Sequence, residues 1–264
     1  MHSLISPFDF GYTWPWTYGH LLLALVFAAG AALAWRFKAR RTALILAVGV
    51  VWALSASLVV HSGFGINAPV VLPTARFLEQ GTGRVLDMGS GSGRATVMVL
   101  IERPKARVVA LDNWSADYIA GNSPRLLLAN AAVAGAADRV EATTGDMRKL
   151  PFEDGAFDGI VSTYAIDHLN SEGITKALAE ASRVLKPEGT FLLMVLNGDG
   201  WMLFMNPLLG LHGIRVLHGG GGGGGVQDAW VSRLTNAGFE VIERGRAPGT
   251  AYFLARKPGG FERQ

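Results

Sequence analysis

Two uninterrupted apolar runs dominate the start of the chain: residues 19–35 (GHLLLALVFAAGAALAW) and residues 42–60 (TALILAVGVVWALSASLVV), neither with a charged residue. At about 1.5 Å rise per residue, a helix of either run nearly or fully crosses a hydrocarbon core of roughly 30 Å. The pattern predicts a membrane hairpin over residues 1–61. Tyr12, Trp14, Trp16 and Tyr18 crowd the entrance of the first run and Trp35 closes it, as amphipathic rings do at a membrane interface. A secretory signal would need a basic leading segment, and only His2 and Asp9 precede the run. Two buried helices of a water-soluble core are the other reading of such runs.

Residues 62–73 form a Gly/Pro-punctuated linker. A short helix is expected over 74–80, stopped by Gly81 and Gly83. Beyond it strand-like and helix-like runs alternate. Strands are expected at 84–88, 107–111, 140–144, 159–163, 190–196, 239–244 and 251–255, and helices at 93–101, 124–134, 172–185 and 227–237. TFLLMVL (190–196) is apolar at every position but the first, as a central parallel strand buried on both faces would be. The alternation predicts one doubly wound α/β domain over residues 74–264, with ligands beyond the carboxyl ends of its strands. Seven consecutive glycines, 219–225, read either as a flexible surface loop or as the hinge of a lid.

Composition adds little to this picture. Half of the 264 residues are apolar, 17% are charged and the net charge is +3. No basic stripe with interleaved aromatics suggests nucleic acid. The absence of cysteine excludes disulfides, thiolate metal sites and a cysteine nucleophile. The six histidines are scattered, and only His212 and His218 are close, at a spacing that does not share a helical face. No metal is expected.

Chemistry concentrates in VLDMGSGSGR, residues 85–94. A phosphate-cradling loop needs Gly, four residues, then Gly-Lys-Ser/Thr, and no such string occurs. The dinucleotide fingerprint needs a glycine at its sixth position, where counting from Gly89 or Gly91 meets Arg94 or Thr96. A nicotinamide-type oxidoreductase therefore fits poorly. What remains is Gly89, Gly91 and Gly93 directly after Asp87 on a strand, then Asp112 at the end of the next strand. A carboxylate there can accept hydrogen bonds from both hydroxyls of a ribose. Asp146 follows the third strand, where it could accept from an exocyclic amine while Met147 lies against a purine.

In this order, VLDMGSGSGR, ALDNW, ANAAVAGAADRVEATTGDMRKLPFEDGAFDGIVS and EASRVLKPEGTFLLMV resemble the class I S-adenosylmethionine-dependent methyltransferases, over roughly residues 76–196. The resemblance implies a Rossmann-like seven-stranded sheet with an antiparallel last strand, and S-adenosylmethionine as cofactor. Gly89, Gly91 and Gly93 would then lie under its methionine part, with Asp87 anchoring the amino group. Asp112, with Asn113 beside it, would hold the ribose, and Asp146 with Met147 would frame the adenine. The family is mostly soluble, so the resemblance leaves the first sixty residues unexplained.

Methyl transfer is a displacement along one line in which positioning contributes most, and a base is needed only where the acceptor must lose a proton. STYAIDHL, after the fourth strand, offers Tyr164, Asp167 and His168. His168 and Tyr164 are the candidate catalytic residues. Imidazole is the better base type near neutral pH, though a residue there can equally cap or pack the next helix. Asp167 reads as a helix-start residue. The apolar run at 200–217 could roof a pocket for a small lipophilic acceptor, or simply pack on the sheet. The expected protein is a multi-pass membrane protein in contact with membrane lipid, its catalytic domain cytosolic. The Arg36, Lys38, Arg40 and Arg41 cluster contradicts that side by the positive-inside rule. A non-catalytic, membrane-anchored cofactor-binding or assembly factor is the alternative function.

Overall fold

The computed structural model describes residues 6–58, 60–61, 65–115, 119–196, 225–247 and 250–259. Helices α1 (Trp14–Arg36) and α2 (Arg40–Leu58) form an antiparallel hairpin. The first begins five residues before the apolar run, because Pro15 suits the first turn, where an N–H would have no helical partner. Small residues let the pair close: a Cβ at Gly49 would lie 2.8 Å from the ring of Phe27, and one at Gly30 would lie 3.2 Å from Leu46. Both helices are long and apolar enough to cross a membrane. Most of their outer surface is uncovered, including Leu25, Val26, Leu33, Leu44, Ile45, Val48 and Val51.

The remaining chain alternates as expected: β1 (Thr82–Met88), α3 (Arg94–Glu102), β2 (Lys105–Asp112), α4 (Pro124–Val133), β3 (Val140–Thr144), β4 (Phe157–Thr163), α5 (Ser171–Val184), β5 (Leu185–Leu196), α6 (Val226–Asn236), β6 (Glu240–Ala247) and β7 (Thr250–Arg256). Seven strands make one sheet in the order β3-β2-β1-β4-β5-β7-β6. β1 to β5 are parallel, and β7 runs antiparallel to both β5 and β6. This is the Rossmann-like sheet of class I methyltransferases.

Alternate side chains of each strand enter opposite layers. Phe191, Leu193 and Val195 of β5 pack under α5 and α6 with Leu86, Leu111, Ile160 and Trp230. Leu192 and Met194 join Val85, Val108, Met98 and Ala131 under α3 and α4. Helix α5 presents Ile174, Ala177, Leu178, Ala181 and Val184 to the sheet at helical spacing. Its cap is Asn170, whose side chain accepts from Gly173 N, and not Asp167.

Two expectations need correction. Residues 75–80 are turns and not a helix, because Leu78 takes φ +47°, outside the right-handed region. Arg103 secures that turn by donating to the carbonyls of Phe77 and Ala75. The segment before the hairpin, expected to belong to a membrane unit, lies on the α/β domain: Tyr12 bridges Ile119 in antiparallel fashion and Phe10 is buried. The lid-or-loop choice for Gly219–Gly225 and the roof at 200–217 fall, Gly225 apart, outside the described residues.

Phe191 sits in the middle of β5, fully buried, its ring 5.5 Å from that of Phe239. Phe191→Ala is expected to destabilise the domain by about 3–5 kcal/mol, measured as a shift of the denaturant midpoint at unchanged slope.

Candidate functional site

Strand order reverses between β1 and β4, which opens a crevice at their carboxyl ends. A cleft of about 200 Å³ lies there. Its floor is the turn after β1. Gly89, Gly91 and Gly93 take φ of +82°, +50° and +93°, conformations that residues with a Cβ rarely adopt. A Cβ at Gly89 would also run into Ala165 and lie 2.8 Å from Met147 Cε. The turn is held from β2: Gly89 N and Ser90 N donate to Leu111 O, and Gly91 N donates to Asp112 Oδ2 at 2.8 Å.

Asp112 also closes its own turn, accepting from Trp114 N at 2.6 Å and Asn122 Nδ2 at 3.4 Å through Oδ1. With two lone pairs on each oxygen, Oδ2 keeps one acceptor site beyond Gly91. Ser90 Oγ and Asn122 Oδ1 are buried without hydrogen-bond partners, and both residues line the cleft. Buried polar atoms ordinarily find partners. A ligand rich in hydroxyl, amine and carboxylate groups would supply them.

Of the residues expected at the site, Gly89, Gly91, Asp112, Asn113, Met147, Tyr164 and His168 line this cleft together. Asp87, Gly93 and Asp146 do not. Gly93 is the N-cap of α3, backed by Leu127. Asp146 is turned into a local pair: both its oxygens take hydrogen bonds from the Arg148 guanidinium at 2.6–3.0 Å. The Arg148 hydrogen bonds hold its carboxyl below the usual range.

Asp87 is fully buried under the turn. Its Oδ2 accepts from Thr96 Oγ1 at 2.6 Å, and Oδ1 has no partner. Burial raises its pKa to about 7, against the pull of the Thr96 hydrogen bond and with a push from the Asp112 charge.

At the opposite wall Tyr164 takes φ +52° and its hydroxyl lies 2.7 Å from Thr250 Oγ1. Burial pushes the phenol pKa up, so Tyr164 stays neutral as a hydrogen-bonding group. His168 is exposed on a single 3₁₀ turn at the cleft edge. Its neighbour Asp167 is buried, accepts from Leu196 N at 3.1 Å, and has its pKa raised by that burial. Among the described residues no cluster of three acids or histidines could hold a metal.

Sequence reasoning missed Ser90, Arg94, Asn122 and, above all, Tyr12. Arg94 is 8% exposed and the one Lys or Arg among the described residues lining the cleft. It donates to Ala68 O and Gly65 O at 2.9 Å and to Tyr12 Oη at 3.3 Å. Tyr12 was readable only as an interfacial ring. The alternation Phe8, Phe10, Tyr12, with Asp9 and Gly11 between, was the available sign of extended backbone.

Residues 85–189 match the family described as a methyltransferase domain. A ubiquinone/menaquinone biosynthesis C-methyltransferase of Paracoccus denitrificans is 33% identical over 110 residues, 42% of this chain and 41% of that protein. A demethylmenaquinone methyltransferase of Thermus thermophilus is 33% identical over 117 residues, 44% of this chain and 49% of its own length. The chain thus spans less than half of these curated relatives. Among solved structures, an S-adenosylmethionine-dependent methyltransferase of Methanosarcina mazei superposes with TM-score 0.54 at 18% identity, over 72% of this chain and all of that one. The cyclase SpnF superposes at 0.53 and 20% identity, over 70% and 79%. At such identities the structures speak for the fold, and a cyclase among them shows that the fold does not fix the chemistry.

The Asp87 environment has a pH signature. Between about pH 4 and 7 the folded chain keeps a proton that the unfolded carboxyl, with its pKa near 3.8, has released. Its contribution to stability therefore falls as pH rises through that window and is level above it. Asp87→Asn keeps an acceptor for Thr96 and has no proton to lose. The variant should melt close to the native chain at pH 4 and progressively higher than it up to pH 7, in thermal scans at fixed ionic strength without added ligand.

Proposed function

We propose that this chain is an S-adenosylmethionine-dependent methyltransferase, anchored to a membrane by α1 and α2, that methylates a small lipophilic acceptor. The observation that carries the reading is the glycine turn: a backbone bare at Gly89 and Gly91, clamped by Asp112, inside the segment that matches methyltransferase domains. When bound, S-adenosylmethionine supplies an electrophilic methyl group on a sulfonium, already a good leaving group.

The residues present suit that cofactor. Asp112, with Asn113 beside it, offers its remaining acceptor site to a ribose hydroxyl. The Gly89 turn admits the methionine part, and the cationic Arg94 suits its carboxylate. Ser90 Oγ and Asn122 Oδ1 gain the partners they lack. Met147 provides an apolar face for the adenine. Asp87 acts from beneath, holding Thr96 and the turn in place, and Asp146 acts by fixing the Met147 turn through Arg148. His168, at the cleft edge, takes the acceptor's proton where one must leave, and Tyr164 orients the acceptor.

Two observations favour a lipophilic acceptor. The outward faces of α1 and α2 are apolar and uncovered, and the relatives include proteins named for ubiquinone and menaquinone biosynthesis. With the hairpin in a bilayer, the cleft would stand near the lipid interface, since Tyr12 in its wall is two residues from the start of α1. The domain is read as cytosolic, which puts the Arg36–Arg41 turn on the far side, against the usual charge bias.

Purified protein incubated with methyl-labelled S-adenosylmethionine and native membrane extract should transfer label into the organic phase. Asp112→Ala should reduce transfer at limiting cofactor by about 10- to 100-fold, the loss expected for hydrogen bonds to a charged acceptor. His168→Gln should lower turnover with little change in cofactor KM. Label confined to the aqueous phase would refute the lipophilic acceptor. Cofactor binding without any transfer would favour a binding or assembly factor.

A further inference from the structure

Residues 8–12 bring Tyr12 into the wall of the cleft although they precede the hairpin in sequence and stand outside the segment that matches methyltransferase domains. Their attachment is specific. Asp9 N donates to Asn130 Oδ1 at 3.0 Å, and Asn130 Nδ2 donates back to Asp9 O at 2.7 Å and onward to Ser92 O in the glycine turn. Ala120 N donates to Gly11 O at 2.6 Å, and Tyr12 bridges Ile119. Gly11 takes φ +69°, and a Cβ there would lie 2.6 Å from the backbone oxygen of Ala120. Only a residue without a Cβ fits this approach. Arg94 then joins the pieces: its guanidinium stands over the rings of Phe10 and Tyr12 at 6.0 and 5.8 Å while it donates to the Tyr12 hydroxyl.

We propose that residues 8–12 are a structural part of the cofactor site, a strap that completes its wall, with Tyr12 as a positioning residue. This rests on the S-adenosylmethionine reading of the cleft. Thr13 alone separates Tyr12 from α1, and on the other side of the hairpin Gly65 and Ala68 accept from the same Arg94. One guanidinium in the cleft wall therefore holds both the segment that leads into the hairpin and residues 65–68, which follow it in sequence. The wall that the matched domain leaves open is supplied by the chain on its way into the hairpin.

The test uses the full chain in lipid nanodiscs and S-adenosylhomocysteine as the probe, by calorimetric titration and by hydrogen exchange. In the native chain the probe should bind and should slow exchange of the amides of residues 8–12 and of Ala120. Gly11, which does not itself line the cleft, is the informative position: Gly11→Val should weaken binding at least tenfold. Tyr12→Ala should do the same, while Tyr12→Phe, which keeps the ring and loses the hydroxyl that Arg94 donates to, should stay within about threefold of native. Native affinity in Gly11→Val, or exchange at 8–12 unmoved by the probe, would overturn the strap and leave the cofactor reading intact. The exchange result holds even if a variant fails to fold. Failure of the native chain to bind the probe at all would overturn both.

Discussion

A buried guanidinium is the constraint on which the arrangement turns. Arg94 follows the last glycine of the turn and occupies the first position of α3, where the helix dipole disfavours a cation. It is almost wholly removed from water, and such a charge is tolerated only when its donors are met. The partners come from two places distant in sequence: the stretch after α2, through the carbonyls of Gly65 and Ala68, and the strap before α1, through the Tyr12 hydroxyl and the rings of Phe10 and Tyr12. Meeting at one guanidinium, these segments share a single anchor in the cleft wall. It also gives the cleft a positive centre within an otherwise neutral and acidic lining.

Much of this molecule was legible in its sequence, for identifiable reasons. The seven strands and their helices follow from the switch between period two and period 3.6, and β5 announced itself by being apolar on both faces. That Gly89, Gly91 and Asp112 belong to one site was legible because positive φ demands glycine and strand ends carry the acids, whereas the bond from Gly91 N to Asp112 was not. Asp146 shows where such reasoning stops. Its place after β3 was right, but Arg148, two residues on, takes both its oxygens, and strand spacing cannot reveal a side chain's choice of partner. Asp167 and Asn170 are both good capping types, and only the geometry showed that Asn170 caps α5 while Asp167 turns inward to Leu196. Tyr12 was hidden by its company: aromatic rings beside an apolar run have an obvious explanation, and its true neighbours, Arg94 and Ile119, lie far along the chain, the nearer of them 82 residues away.

The division of labour between the halves of the chain is less sharp than hydropathy suggests. Hydropathy cuts the chain after the second apolar helix, whereas packing assigns residues 8–12 and 65–73 to the α/β domain. The apolar helices are thus an insertion between two pieces of one domain surface.

That insertion sets an order of assembly. The chain is made from its amino end, so the strap and both apolar helices leave the ribosome before the groups that receive the strap exist. Asp9 waits for Asn130, 121 residues later. At 5–20 residues per second this is a delay on the order of ten seconds. Helix pairing relaxes far faster, so the hairpin has time to form first, and the long-range closure of the strap comes near the end. Completion of the cleft by the strap would then be a late event in maturation, and a nascent chain could carry a formed glycine turn before it has a closed site.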